Sequence, residues 1–232
     1  MIAINRLASD VIALLFPELC NACGTHLYDG EKEICIKCLR DLPYTDFHLC
    51  PDNLVAKQLW GRLPNTNAMA MLYFRKGTKV QNLMHSLKYK NKTEVGVRLG
   101  NLLGEKLKTS ELYNHIDLII PVPLHLSKQR LRGYNQSEKI ASGIAEVLDV
   151  KFSEGHLFRT KSTETQTKKA RYTRFENMQS VFDVKHEEEL ENLHILLVED
   201  VITTGATLEA CGNTLLNTSI KKLSIAAIAF AE

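Results

Sequence analysis

The 232 residues are 44% hydrophobic and 24% charged, the balance of a globular chain rather than a disordered or fibrous one. A net charge of +2 sets up no global field that would by itself select nucleic acid, and no apolar run approaches the ~20 residues of a membrane span. The length allows one large domain, or a main domain with a small module.

The chain opens with an apolar stretch, Val11–Phe16, preceded by Asp10 and followed by no small-residue cleavage site before Cys20. It therefore does not read as a signal peptide. Residues 2–16 are expected to form a short amphipathic helix stopped by Pro17, in a chain that works in the cytoplasm, where disulfides are uncommon. Five of the six cysteines lie in the first 50 residues. Cys20-x-x-Cys23 and Cys35-x-x-Cys38, separated by eleven residues, have the spacing of a four-thiolate zinc site. A redox pair or scattered core cysteines are the alternatives. Cys50 has no partner at such spacing and reads as a bystander. Residues 1–50 are thus taken as a helix plus zinc module.

Residues 51–67 carry Pro51, Gly61, Pro64 and several Asn, and read as a linker with Trp60 as its anchor. The main domain is taken as 68–232. It begins with a strand, Ala68–Phe74. Two helices follow: Val80–Tyr89, with Val80, Leu83, Met84 and Leu87 at helical spacing, and Val95–Leu107. Ile116–Val122 is a strong strand ending in Pro121-Val-Pro123. A basic loop then carries Lys128, Arg130 and Arg132. Its guanidinium forks suit paired phosphate oxygens, although a solvated loop opening a helix reads the same way. Tyr134–Leu148 is a helix and 150–158 a weak strand region. Residues 160–179 are dominated by Lys, Arg, Thr, Ser, Gln and Asn, too polar for a buried element, and are expected to be mobile. Strand 195–198, helix 207–216 and strand 223–230 close the domain; Cys211 in that helix reads as a buried small apolar residue. Strands alternating with helices indicate a parallel α/β sheet, whose ligands bind at the carboxyl ends of strands.

The last strand–loop–helix carries the most chemistry. Strand 195–198 runs into Glu199 and Asp200, then Thr203-Thr204-Gly205-Ala206-Thr207. Backbone N–H groups and hydroxyls at the positive end of a helix suit a phosphate monoester, and two carboxylates suit ribose hydroxyls. The plainer alternative is an ordinary buried strand and helix with a capping Thr. The spacing fits neither a Walker loop nor a dinucleotide fingerprint. It resembles the phosphoribosyl diphosphate (PRPP) signature of type I phosphoribosyltransferases.

Taken together, the two knuckles, Leu87-Lys88-Tyr89-Lys90, Pro121-Val-Pro123, Arg132-Gly133-Tyr134-Asn135-Gln136, Thr165–Arg174 with Asn177, and the signature at 197–207 resemble the ComF family over essentially the whole chain. The resemblance implies a phosphoribosyltransferase-like parallel sheet joined to an N-terminal four-cysteine zinc module, with zinc, Mg²⁺ and PRPP as ligands. It also implies a role in natural transformation, helping single-stranded DNA across the inner membrane from the cytoplasmic side with the competence machinery. On this reading Glu199 and Asp200 would hold the ribose, and 203–207 the 5′-phosphate. Arg132, supported by Arg130 and Lys128, would hold the diphosphate, with Lys88 and Tyr89 within reach unless they are merely a solvated helix end. Gln166, Arg171 and Arg174 would contact PRPP from a closing segment, or with Lys168 and Lys169 form a nucleic-acid patch around Tyr172 and Phe175. Thr203 stands where 6-oxopurine enzymes carry an Asp, which argues against that salvage reaction. Two classes stay open: a phosphoribosyl-transfer enzyme with an unknown acceptor, and a PRPP-responsive protein that handles single-stranded DNA.

Overall fold

The computed structural model describes residues 17–160 and 181–231. The helix expected at 2–16 and the residues Gln166, Lys168, Lys169, Arg171, Tyr172, Arg174 and Phe175 lie outside the described residues. Ordered along the chain are α1 (Ile36–Asp41), α2 (Leu54–Leu59), β1 (Asn67–Phe74), α3 (Lys79–Tyr89), α4 (Thr93–Lys108), β2 (Leu118–Pro121), α5 (Leu126–Arg132), α6 (Gln136–Leu148), β3 (Leu157–Arg159), β4 (Phe182–Val184), β5 (His194–Ile202), α7 (Ala206–Leu216) and β6 (Lys222–Ala231). Four strands form a parallel sheet in the order β1-β6-β5-β2, and β3 and β4 pair as a separate antiparallel ribbon. Ile195–Val198 are all buried, as a strand covered on both faces requires. No helix among the described residues is long and apolar enough to cross a membrane.

The helices bury the faces their spacing sets out. Val80, Leu83, Met84 and Leu87 of α3 are buried, as are Val95, Leu99, Leu103 and Leu107 of α4. Helices α4 and α6 approach so closely that a Cβ at Gly100 would fall 2.2 Å from the Ile140 carbonyl oxygen, and one at Gly143 would fall 2.2 Å from that of Val97. Only residues without a side chain permit that approach.

One stretch differs from the sequence expectation, and a second shows how the module is attached. Residues 51–67 are not a bare connection. Asn53 caps α2, its oxygen accepting from the Val55 and Ala56 amides at 3.0 and 3.1 Å, while its Nδ2 donates to the Cys50 and Ala68 carbonyls at 2.8 Å each. With both ends so fixed, Val55, Ala56, Leu59 and Leu63 are buried, whereas Trp60, the expected anchor, is 67% exposed. The N-terminal module is likewise bonded to the sheet. Thr45 N–H donates to the Met71 carbonyl at 3.0 Å and Tyr73 N–H to that of Pro43 at 2.9 Å. The module thereby covers the outer edge of β1, which would otherwise present unpaired backbone groups.

Candidate functional site

The central cleft exists because two neighbouring strands stop at different heights. β2 and β5 pair from Leu118↔Ile195 to Pro121↔Val198, and the last bond on that side is Val122 N–H to the Val198 carbonyl, 2.9 Å. The Val122 carbonyl then accepts from Asn135 Nδ2 at 3.0 Å, and β2 leaves the sheet. On its other side β5 keeps pairing with β6, through Glu199↔Ala227 to Ile202↔Phe230. The strand is therefore longer than 195–198, and Glu199 and Asp200 belong to it, just where β2 has left the sheet. A cavity of about 180 Å³ opens there, lined by both carboxylates, Lys88, Lys128, Arg132 and Thr207, and also by His125, Gln136 and Arg159.

Both carboxyls line the cavity, but they meet different surroundings. Asp200 forms an ion pair with Lys88 Nζ from the end of α3, at 2.8 Å. Glu199 is half-buried, and its carboxyl is pushed up to about 8, chiefly by desolvation, with the Asp200 charge adding to the effect and Lys88 opposing it. At neutral pH, Glu199 can thus donate as well as accept a hydrogen bond.

The basic stretch is not an open loop: it winds into α5, capped by His125 and ended by Gly133 at φ +80°. The five residues 132–136 form a bracket. Arg132 Nη1 donates to Gln136 Oε1 at 2.7 Å. Tyr134 hydroxyl donates to the Leu87 carbonyl, tying the bracket to the end of α3 and hence to Lys88. Asn135 caps α6 and donates to the Val122 carbonyl at 3.0 Å. Tyr89 does not line the cavity. The residue is 65% exposed, and its ring lies 5.4 Å beneath the Arg132 guanidinium, a cation–π support that aims Arg132 inward. Arg130 is exposed and stands outside the cavity lining.

The 203–207 turn borders the cavity at Thr207, while Thr203 lines a neighbouring cavity with Tyr89 and His85. Gly205, at φ +71°, precedes the first residue of α7; that left-handed backbone favours Gly. Two residues outside any recognisable motif touch this turn. Gln58 Nε2 donates to the Thr203 carbonyl at 2.6 Å, and Arg62 Nη1 to that of Thr204 at 2.8 Å. Arg159, also unforeseen, reaches the cavity from β3 with its guanidinium 5.3 Å over the Phe182 ring. A single Arg on a weak strand gave no signal; pairing with β4 positions it. The amide nitrogen of Gln136 is buried without a hydrogen-bond partner, which suits a cavity whose lining is completed by a polar ligand.

Cys20, Cys23, Cys35 and Cys38 converge, their sulfurs all within 4.8 Å of one another. Cys23 Sγ and Cys35 Sγ are 3.9 Å apart. That is far beyond a disulfide and near the ~3.8 Å edge of a tetrahedron with ~2.3 Å metal–sulfur bonds. The Cys35 and Cys38 amides donate to the sulfurs of Cys20 and Cys35 at 3.3 and 3.4 Å, which stabilises thiolates. The set fits a metal. Cys50 stands apart and exposed, and Cys211 is buried.

Residues 135–232 match the phosphoribosyl transferase domain family. The chain is 27% identical to the DNA utilization protein YhgH of Escherichia coli K12, over 88% of this chain and 92% of that protein. It is 28% identical to competence protein F of Haemophilus influenzae over 64% and 67%, and 34% identical to competence protein ComFC of Bacillus subtilis over 43% and 38%. Among solved structures it is similar to a glutamine PRPP amidotransferase from B. subtilis, with 15% identity, 62% of this chain and 30% of that one covered, and a TM-score of 0.45.

Proposed function

Since the chain belongs to the ComF family and has the parallel α/β fold of type I phosphoribosyltransferases, we propose that its cavity binds PRPP with Mg²⁺ and that the protein acts in DNA uptake from the cytoplasmic side. The observation that carries this reading is the carboxylate pair of β5 facing Lys88 and Arg132, with a helix-opening turn at its end. Glu199 and Asp200 take the ribose 2′- and 3′-hydroxyls. Thr203, Thr204, Gly205, Ala206 and Thr207 take the 5′-phosphate through amides and hydroxyls at the start of α7. Arg132 and Lys128 take the diphosphate, with Arg130 outside the mouth and Tyr89 steadying Arg132. Lys88, paired with Asp200 before ligand arrives, is shared with the incoming oxygens.

Mg²⁺ would be held beside Glu199 and Asp200, the hard oxygen donors of the cavity lining, and would supply positive charge to offset the diphosphate. If transfer occurs, the bond from C1′ to diphosphate oxygen breaks as the acceptor's bond forms, through an oxocarbenium-like state. The protein then contributes positioning and charge complementarity rather than covalent chemistry. We further propose zinc as the metal of the four cysteines, in a structural role.

Calorimetry with PRPP and Mg²⁺ tests the site. Wild type should bind, while Asp200→Ala and Gly205→Val should each bind at least about tenfold more weakly, the scale of one charged hydrogen bond or of one blocked phosphate contact. Unchanged affinity in both refutes the assignment. A second reading keeps PRPP as a signal and single-stranded DNA as the cargo; the names of the relatives and the basic residues Lys168, Lys169, Arg171 and Arg174 support it. Following diphosphate release over a panel of bases separates turnover from mere binding. On the second reading, DNA affinity should fall steeply with salt, by about −0.7 in log–log slope per neutralised phosphate. It should also fall when those four residues are neutralised. Salt-insensitive or absent binding at low salt removes this reading.

A further inference from the structure

We propose that Gln58 and Arg62, on and just after α2, are positioning residues that hold the 203–205 turn open for a phosphate monoester; the inference rests on the PRPP reading above. The argument runs through two peptide planes. The Thr203 carbonyl accepts from Gln58 Nε2 at 2.6 Å, and the Thr204 carbonyl from Arg62 Nη1 at 2.8 Å. In a trans peptide the carbonyl of one residue and the N–H of the next point in opposite directions. With both carbonyls drawn toward α2, the N–H groups of Thr204 and Gly205 point away from α2. Two successive amides so directed ahead of the eleven-residue α7 form a concave anion nest that adds to the helix dipole.

Arg62 is committed to this task. Its Nε donates to Glu209 Oε2 at 2.8 Å and its Nη2 to the same oxygen, so the planar fork is fixed between Glu209 and the turn. It is therefore not a phosphate clamp: its partners are the Thr204 and Gln58 carbonyls and the Glu209 carboxylate, all of the protein itself. Leu59 fills in below, since a Cβ added at Gly205 would lie 3.0 Å from its Cδ2. Free in solution, a turn of small and hydroxyl residues would sample many carbonyl orientations, and ordering it would weaken binding. The brace supplies that order before the ligand arrives. The residues that supply it are more than 140 positions away in sequence, in a stretch with no phosphate motif of its own.

Two probes of the full-length protein read the two ends of the site separately: ribose 5-phosphate for the turn, and Mg²⁺–diphosphate for the Arg132 side. Arg62→Met and Gln58→Met should each weaken ribose 5-phosphate, Arg62→Met by about tenfold or more, and leave Mg²⁺–diphosphate within about twofold. Arg62→Lys, which retains one charged donor but no fork, should fall between wild type and Arg62→Met. The Thr204 and Gly205 amide resonances should move on adding ribose 5-phosphate to wild type, and move less in Arg62→Met. If Arg62→Met fails to fold, Gln58→Met, which leaves the Arg62–Glu209 pair intact, carries the test. A wild type that binds ribose 5-phosphate beside variants that bind it equally well overturns the brace. Equal loss for both probes overturns it too, because general loosening does not distinguish the ends. A wild type that binds neither probe overturns the PRPP reading itself.

Discussion

Replacing Glu199 by Gln should stabilise the ligand-free protein above neutral pH and leave it unchanged in mild acid. The carboxyl of Glu199 lies near 8 in the fold against an ordinary 4.5, because burial and the Asp200 charge outweigh the opposing Lys88 charge. Between those values the folded chain keeps a proton that the unfolded chain has released. The unfolded state therefore binds fewer protons, and stability falls as pH rises through this window, levelling off above 8. At 1.36 kcal/mol per decade of proton concentration, the full interval amounts to at most about 5 kcal/mol, of which about 3 kcal/mol is already lost at pH 7. Gln keeps the shape of the protonated acid and does not titrate. The assay is urea unfolding of wild type and Glu199→Gln at pH 5, 7 and 8.5, taken as a difference so that the other titrating groups cancel. The variant should match wild type within about 1 kcal/mol at pH 5 and exceed it by a few kcal/mol at pH 8.5. A difference that is flat with pH would show that water reaches Glu199, and the argument from burial would fail.

Zinc should be present at one per chain, and Cys35→Ser with Cys38→Ser should abolish it in elemental analysis while residues 17–50 become protease-sensitive. Metal affinity contributes on the order of 10 kcal/mol to such modules, so full retention of zinc in the double variant would refute the site. At the α4–α6 contact, Gly100→Ala should cost about 1–3 kcal/mol in chemical denaturation: the overpacking against the Ile140 carbonyl outweighs the ~1 kcal/mol that Ala gains in helix propensity. Gly155→Ala, with no atom within 4 Å of the added carbon, should stay within about 0.5 kcal/mol of wild type.

What could be read from the sequence was whatever short-range pattern encodes. Apolar spacing gave α3, α4 and α6, and the run Ile195–Val198 gave the buried heart of β5, because burial imposes period on neighbouring residues. The cysteine spacing gave the cluster because each knuckle is a local turn. The missed features depend on distant partners. β5 continues through Glu199 and Asp200 only because β6 is long enough to pair with them, and two acids in a row look like a strand end when that partner is not in view. α2 is stabilised by an Asn53 cap and by burial against distant elements, while Pro51, Gly61 and Pro64 around it advertise a linker. Tyr89 was grouped with Lys88 by adjacency, but at the end of a helix adjacent side chains diverge: one reaches Asp200 and the other supports Arg132.

The strand covered by the N-terminal module is also the one whose sheet partner is made last. β1 ends at Phe74, and its neighbour within the sheet is β6, which begins at Lys222. At ribosomal speeds of about 5–20 residues per second, roughly 7–30 s separate the two. Throughout that interval one flank of β1 is vacant, an invitation to pair with a neighbouring nascent chain. Pro43–Thr45, synthesised before β1, bond to its other flank in the finished fold, and once in place they leave a single side open rather than two. The cysteine module thus guards one flank in cis: a chain whose cysteine cluster failed to close would present both flanks of β1 to its neighbours until the last strand arrived.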